Sequence, residues 1–302
     1  METYANMAQR IRHSYLSLPQ HNKCFALISD APESDVKRAI VFIHGFNGSA
    51  KGTWTDFLSL VDDPQASGDW WEAADLFFFD YQWDSVFRQL TNNTLKTYKF
   101  IEEIFPKPKI IGRAHAYRSV PFEYEDLVLV GHSEGGLLLR RVIVEAAQRD
   151  TAIGRFMRDS RYTEGTQPLP TGMLKAQMRL FAPALGGDMQ SGLAGVLVTL
   201  PVISNVLSAS AAKKGMDQGA PSVTEARRRT DGYAKYLWFD CFRAHIIWAE
   251  KDSIINSEKY DEDRQCLNFP TGSTHTSICK PTLNYSLPLN FVEEGVDRYE
   301  CQ

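Results

Sequence analysis

The chain has 302 residues, of which 43% are hydrophobic, 12% aromatic and 23% charged. That is apolar material enough for a sizeable core, and it excludes wholesale disorder, a collagen and a miniprotein dependent on covalent staples. Lysine plus arginine total 33 against 37 aspartate plus glutamate, a formal net charge of -4, so no overall positive field draws the chain to phosphate backbones and nucleic acid is not an expected partner. The five cysteines, Cys24, Cys241, Cys266, Cys279 and Cys301, form no C-x-x-C pair and read as reduced thiols. The segment from Met1 to Met7 lacks the basic start and apolar run of a secretory signal, so a cytoplasmic protein is expected.

Short apolar, β-branched or aromatic runs alternate along the chain with helix-like stretches. This pattern predicts an α/β fold with a mostly parallel, doubly wound sheet covered by helices on both faces. Strands are expected at 24–29, 39–44, 76–81, 127–131, 178–182, 244–249 and 265–269. Between them, 89–105 has helical spacing and stops at Pro106-Lys107-Pro108, while 134–149 carries one apolar face; a final helix is expected from Leu289 onward. From Met189 to Ala212 there is no charged residue. Three readings of that stretch stand: a spanning helix, against which Pro201, Ser204, Asn205, Ser208 and Ser210 count; a buried helical hairpin bent at Pro201; or an apolar lid over a cleft.

The run Val128-Leu129-Val130-Gly131-His132-Ser133-Glu134-Gly135-Gly136 contains G-x-S-x-G between an apolar strand and an amphipathic helix. A strand that turns sharply into a helix needs both glycines for close backbone approach, and it presents the Ser133 hydroxyl at the top of the sheet beside unpaired helix N–H groups. A hydroxyl is too weakly acidic to attack a carbonyl alone, so an imidazole must take its proton and a carboxylate must orient that imidazole. Of the seven histidines, His132 adjoins the serine and is expected to point away, His44 belongs to another loop, and His245 lies in a strand. His13 and His21 precede the expected strands and His115 sits in a Pro- and Arg-bearing connection, which leaves His275, in a turn-rich loop after the last strand.

The strand at 244–249 runs off its carboxyl end into Glu250-Lys251-Asp252, and Asp252 is the chosen acid, with Glu250 as alternative. The order Ser, Asp, His is that of a nucleophile elbow on an α/β sheet. Two backbone donors fit an oxyanion: the N–H of Glu134, directly after the nucleophile, and the N–H of Phe46 in the turn His44-Gly45-Phe46-Asn47-Gly48.

Val41-Phe42-Ile43-His44-Gly45-Phe46-Asn47-Gly48-Ser49 with Thr53-Trp54, Gly131 to Gly136 with Arg140, and His275 to Pro281 together resemble the α/β-hydrolase superfamily. More narrowly, they resemble its serine esterases and lipase-like proteins related to the serine-active-site-containing protein and the glycosylphosphatidylinositol inositol-deacylase family. The resemblance implies a single α/β-hydrolase domain over residues 1–302, with a lid or cap insertion at about 184–230 that contains the uncharged stretch. It also implies a triad of Ser133, Asp252 and His275, an oxyanion hole from Phe46 and Glu134, no metal, no cofactor, and acyl-ester substrates that are often lipids. Glu134 departs from the family pattern, where a hydrophobic residue or Gln is commoner, and is expected to put a charge beside the nucleophile.

The expected function is therefore hydrolysis of carboxylic esters, with thioesters and amides as alternatives on the same groups, and with a small-molecule or lipid ester as the partner. Peripheral membrane contact through residues 189–212 and head-group contact by Arg227-Arg228-Arg229 are further expectations, the second set against a plain solvated helix face. The rival class is a catalytically silent hydrolase-like binding module.

Overall fold

The computed structural model describes residues 13–18, 21, 23–46, 48–61, 63, 70–81, 89–109, 118–119, 121–159, 167–185, 221–252, 254–255, 257–266 and 270–296. Eight strands form one sheet: β1 (His13–Ser17), β2 (Phe25–Ser29), β3 (Arg38–Ile43), β4 (Ala74–Phe79), β5 (Asp126–His132), β6 (Gln177–Phe181), β7 (His245–Ile247) and β8 (Arg264–Gln265), in the order β1-β2-β4-β3-β5-β6-β7-β8. β1 and β2 run antiparallel to their neighbours, and β4 to β8 are parallel throughout. Among the described residues the α-helices are α1 (Ala50–Leu60), α2 (Gln89–Ile104), α3 (Glu134–Arg149), α4 (Thr151–Phe156), α5 (Pro221–Tyr236) and α6 (Leu287–Glu294).

The central strands are apolar in unbroken runs because helices cover both faces. Every residue of β4 is buried, as is all of β3 after Arg38 and all of β5 after Asp126. Asp75 sits within that core on β4, and its charge is matched: Arg118 donates to it through Nε at 3.0 Å and Nη2 at 2.6 Å, Ser29 N–H at 2.9 Å, and the Tyr124 hydroxyl completes the shell. A buried carboxylate without such partners would cost several kcal/mol.

The chain leaves β3 for β4 on one side and returns to place β5 on the other, so the strand order reverses between β3 and β5. Ligands of such sheets gather at that point, beyond the carboxyl ends of the strands. Register brings Ile43, Gly131, Leu180 and Ile246 into one row across β3, β5, β6 and β7. The loops that leave these four strands therefore start at the same height.

The expected strands from β2 to β8 are present, with β7 shorter than the apolar run 244–249 and β8 starting one residue earlier than expected, at Arg264; residues 267–269 lie outside the described ones. β1 was not expected. Its Tyr15 is exposed and only Leu16 of its five residues is buried, so its local pattern is weak and pairing with β2 makes it a strand. α1 was also unread; the Ser49 hydroxyl caps it by accepting from Gly52 N–H at 3.0 Å, and Trp54 packs on Phe42 with ring centroids 5.1 Å apart. Cys24, Cys241, Cys266 and Cys279 are buried, and Cys301 lies outside the described residues.

Of the expected insertion at 184–230, residues 186–220 lie outside the described ones, and with them the stretch 189–212. The part from Pro221 onward is helix α5, whose Val223 and Ala226 pack on Leu137 of α3. Its three arginines are paired locally: Arg227 with Glu258 at 3.1 Å, Arg228 with Glu225 at 2.8 Å, and Arg229 with the same Glu225. Among the described residues no helix is long and apolar enough to cross a membrane.

A second buried ion pair ties the middle of α3 to the β7–β8 side of the sheet. Arg140 pairs with Asp263 and gives Nη1 to the Phe242 carbonyl at 3.2 Å, while Asp263 accepts from Ala244 N–H at 2.9 Å and Tyr260 N–H at 3.0 Å. Both side chains are fully buried. Arg140→Ala leaves that carboxylate without its cation and is expected to destabilise the fold by about 3–5 kcal/mol in urea unfolding, whereas replacing both residues with apolar ones of similar volume costs less. Equal losses for single and double variants would refute this role.

Candidate active site

Ser133 ends β5 and precedes α3 with φ 53° and ψ -124°, a left-handed backbone that a residue with a Cβ adopts only under constraint. The constraint is visible. Ser133 N–H donates to the Phe181 carbonyl of β6 at 3.0 Å, and its own carbonyl accepts from Gly136 N–H at 3.0 Å and Ala184 N–H at 3.1 Å. Although Ser133 holds the N-cap position of α3, its side chain makes no capping hydrogen bond. The hydroxyl is not spent on the helix.

Two glycines let the turn sit against the loop after β3. A Cβ on Gly135 would lie 2.5 Å from the carbonyl oxygens of both Ile43 and His44, and one on Gly45 would lie 2.7 Å from Ser133 Cβ. The loop itself is braced by His44, whose ring stacks on Tyr81 at 4.2 Å; its Nδ1–H donates to the Gly45 carbonyl at 2.8 Å and its Nε2 accepts from Tyr81 N–H at 3.3 Å. The Tyr81 hydroxyl returns to the His44 carbonyl at 2.8 Å. Burial holds the His44 imidazole below its ordinary pKa, against the opposing pull of the Gly45 carbonyl, which fits a neutral ring with one donor and one acceptor in use. Phe46, half-buried, follows on the next turn.

His275 and Asp252 meet from the loops after β8 and β7. The His275 Nδ1–H donates to Asp252 Oδ2 at 2.9 Å, with both side chains over nine-tenths buried. Oδ1 of Asp252 accepts from the N–H groups of Ile254 and Ile255 at 2.9 and 3.1 Å. Burial alone would raise the Asp252 pKa; the hydrogen bond and charge of His275, with those two amides, outweigh it and hold the carboxyl below its ordinary value. Glu250, the alternative acid, is engaged elsewhere: its Oε2 accepts from Gly272 N–H at 2.5 Å. Asp252 is thus the carboxylate that touches the imidazole. The two loops are stitched together by Lys251 N–H on the Ser273 carbonyl at 2.9 Å and Glu250 N–H on Ser273 Oγ at 3.0 Å.

His132 has a part that sequence reasoning missed. It does not point idly away from the turn: its Nε2–H donates to the main-chain carbonyl of His275 at 2.8 Å, with the two rings 4.9 Å apart. Burial and the neighbouring His275 push its pKa down to about 3, so the ring stays neutral and keeps that donor. The residue before Ser133 therefore anchors the loop that carries His275. The remaining described histidines lie elsewhere, His13 on the carbonyls of Trp71 and Ala74, His21 on Glu103 and His245 on Val296 N–H; His115 lies outside the described residues.

Glu134 opens α3 and is buried, only 3% exposed. Its Oε2 has no hydrogen-bond partner among the described residues. A helix N-terminus favours a negative charge by about 0.3–1 kcal/mol, whereas an isolated buried carboxylate costs several kcal/mol, so burial dominates and pushes the Glu134 carboxyl well above the usual carboxylate range. Among the described residues no cluster of three or more His, Cys, Asp and Glu is placed to hold a metal ion.

No family model matches the chain, and no curated protein sequence matches it. Solved structures do. The chain is similar to carboxyl esterase 2 from the mycorrhizal fungus Tuber melanosporum, at 15% identity and a TM-score of 0.51 over 96% of this chain and 86% of that one. It is similar to the monoacylglycerol lipase of Paleococcus ferrophilus, at 13% identity and a TM-score of 0.47 over 94% and 97% of the two chains. It is also similar to the peroxisomal α/β-hydrolase Lpx1 of Saccharomyces cerevisiae, at 12% identity and a TM-score of 0.45 over 94% and 87%. With the strand order and parallel core described above, the first of these likenesses establishes the architecture: the chain has the α/β-hydrolase fold.

Proposed function

We propose that this protein is a serine hydrolase of carboxylic esters working through an acyl-enzyme. The observation that carries the reading is the buried His275–Asp252 pair at 2.9 Å, anchored through His132 to the turn that holds Ser133 in a strained backbone. Ser133 Oγ attacks the acyl carbon and His275 Nε2 takes its proton. Asp252, bonded to Nδ1–H, keeps the imidazole in the tautomer whose Nε2 is free to accept, and stabilises the imidazolium that forms. The N–H groups of Phe46 and Glu134 bind the oxyanion, and each such donor contributes about 2.7–4 kcal/mol in the transition state. His275 then returns the proton to the leaving alcohol, and water, activated by the same imidazole, releases the acid.

Acyl esters, lipid esters among them, are the proposed substrates. The support for a long acyl chain is the uncharged apolar composition of residues 189–212, which lie outside the described ones. Burial of an acyl chain gains about 0.8 kcal/mol per CH₂. Catalytic efficiency should therefore rise with acyl length across a series of p-nitrophenyl esters, and a flat profile refutes the long-chain part of the reading. Running thioesters and amides of the same acyl group alongside ranks the leaving groups.

The chemistry itself is tested by labelling. A fluorophosphonate probe is expected to modify Ser133 in the folded protein, to leave Ser133→Ala unmodified, and to react far more slowly with His275→Ala. Asp252→Asn should lower kcat by about 10⁴-fold with little change in fold, because the amide favours the wrong imidazole tautomer. A folded wild-type protein that takes up no probe points instead to a silent binding module.

A further inference from the structure

Resting on the serine-hydrolase reading, one feature of the site is left unused by it: the side chain of Glu134. The residue's main-chain N–H is assigned to the oxyanion, yet its carboxyl group is buried against the same centre with Oε2 unpartnered. The polar side chains on the described elements beside this turn are committed elsewhere. Tyr81, beyond β4, donates its hydroxyl to the His44 carbonyl, and burial suppresses its own acidity. His44, beyond β3, has one nitrogen on the Gly45 carbonyl and the other on Tyr81 N–H. His132 of β5 spends its donor on His275, and Asp80 is itself an acceptor, bound to Ala50 N–H at 2.9 Å. On α3, the nearest buried cation, Arg140, is paired with Asp263. Among the described residues no cation pairs with Glu134.

We propose that Glu134 takes part in the reaction as an uncharged carboxylic acid, and that its proton is what keeps the oxyanion hole working. Ionisation sets a negative charge on the residue whose N–H must bind the developing oxyanion, in a site too dry to screen it. Glu134 is a positioning residue in this scheme: its side chain touches no reacting atom and acts through the field at its own amide. Burial is the physical reason the proton stays, as the upward displacement of this carboxyl indicates. The signs follow directly. Protonated below its displaced pKa, Glu134 permits catalysis; deprotonated above it, Glu134 opposes catalysis, so the rate falls on the alkaline side.

The experiment is the pH dependence of kcat/KM on a p-nitrophenyl ester, corrected for uncatalysed hydrolysis, for wild type and Glu134→Gln, with fluorophosphonate labelling rates followed over the same range. Wild type is expected to lose at least tenfold in both rates along an alkaline limb, and E134Q, which cannot ionise, to lack that limb whatever its absolute rate. An infrared difference spectrum, wild type minus E134Q, supplies a reading independent of turnover: at neutral pH it should contain the C=O stretch of a protonated carboxyl group. A carboxylate band in its place overturns the proposal, as does an alkaline limb retained in E134Q. A wild type that labels at Ser133 without any alkaline limb overturns this inference alone and leaves the hydrolase reading standing. Absence of labelling at every pH removes both.

Discussion

The site depends on one backbone constraint, the left-handed conformation of Ser133 between β5 and α3. Such a conformation costs of the order of 1–3 kcal/mol and persists only where the surroundings over-determine it. Here three main-chain hydrogen bonds to β6, to α3 and to the segment after β6 do so, and the glycines at 45 and 135 allow the loop after β3 to close on the turn from the other side. A relaxed Ser133 would be free to swing its hydroxyl toward the capping position that serine commonly fills.

Around that turn the structure uses three histidines in three different ways, and burial separates them. His44 is a neutral brace that shapes the loop bearing Phe46, and His132 is a neutral strut that holds the His275 main chain. Of these three, His275 is the one that pairs its ring with a carboxylate. The same economy governs the buried charges. Asp75 meets an arginine, one N–H group and a hydroxyl, Asp263 an arginine and two N–H groups, and Asp252 an imidazole and two amides. Oε2 of Glu134 has no hydrogen-bond partner among the described residues, which sets this carboxyl apart from those three acids.

What could be read from the chain was local. The elbow was legible because G-x-S-x-G lay between an apolar strand and an amphipathic helix, and helix α3 spans the range its periodicity predicted, Glu134–Arg149. Asp252 and His275 were legible only as loop residues beyond strand ends; the choice of Asp252 over Glu250 turned on which carboxylate reaches the imidazole, a contact 23 positions apart in sequence. β1 escaped because a half-polar edge strand carries little signal until its partner is in place.

The sequence by itself determined the alternation of strands and helices, the nucleophile turn and the short list of candidate acids and bases, because each is encoded within a few residues of backbone preference and apolar spacing. The tertiary structure decided the rest. The reversal of strand order between β3 and β5 and the shared row of Ile43, Gly131, Leu180 and Ile246 set four loops at one height. Packing then buried Glu134 and turned His132 onto a carbonyl 143 positions away. Burial and long-range pairing are properties of the folded surface as a whole, and no window of neighbouring residues contains them.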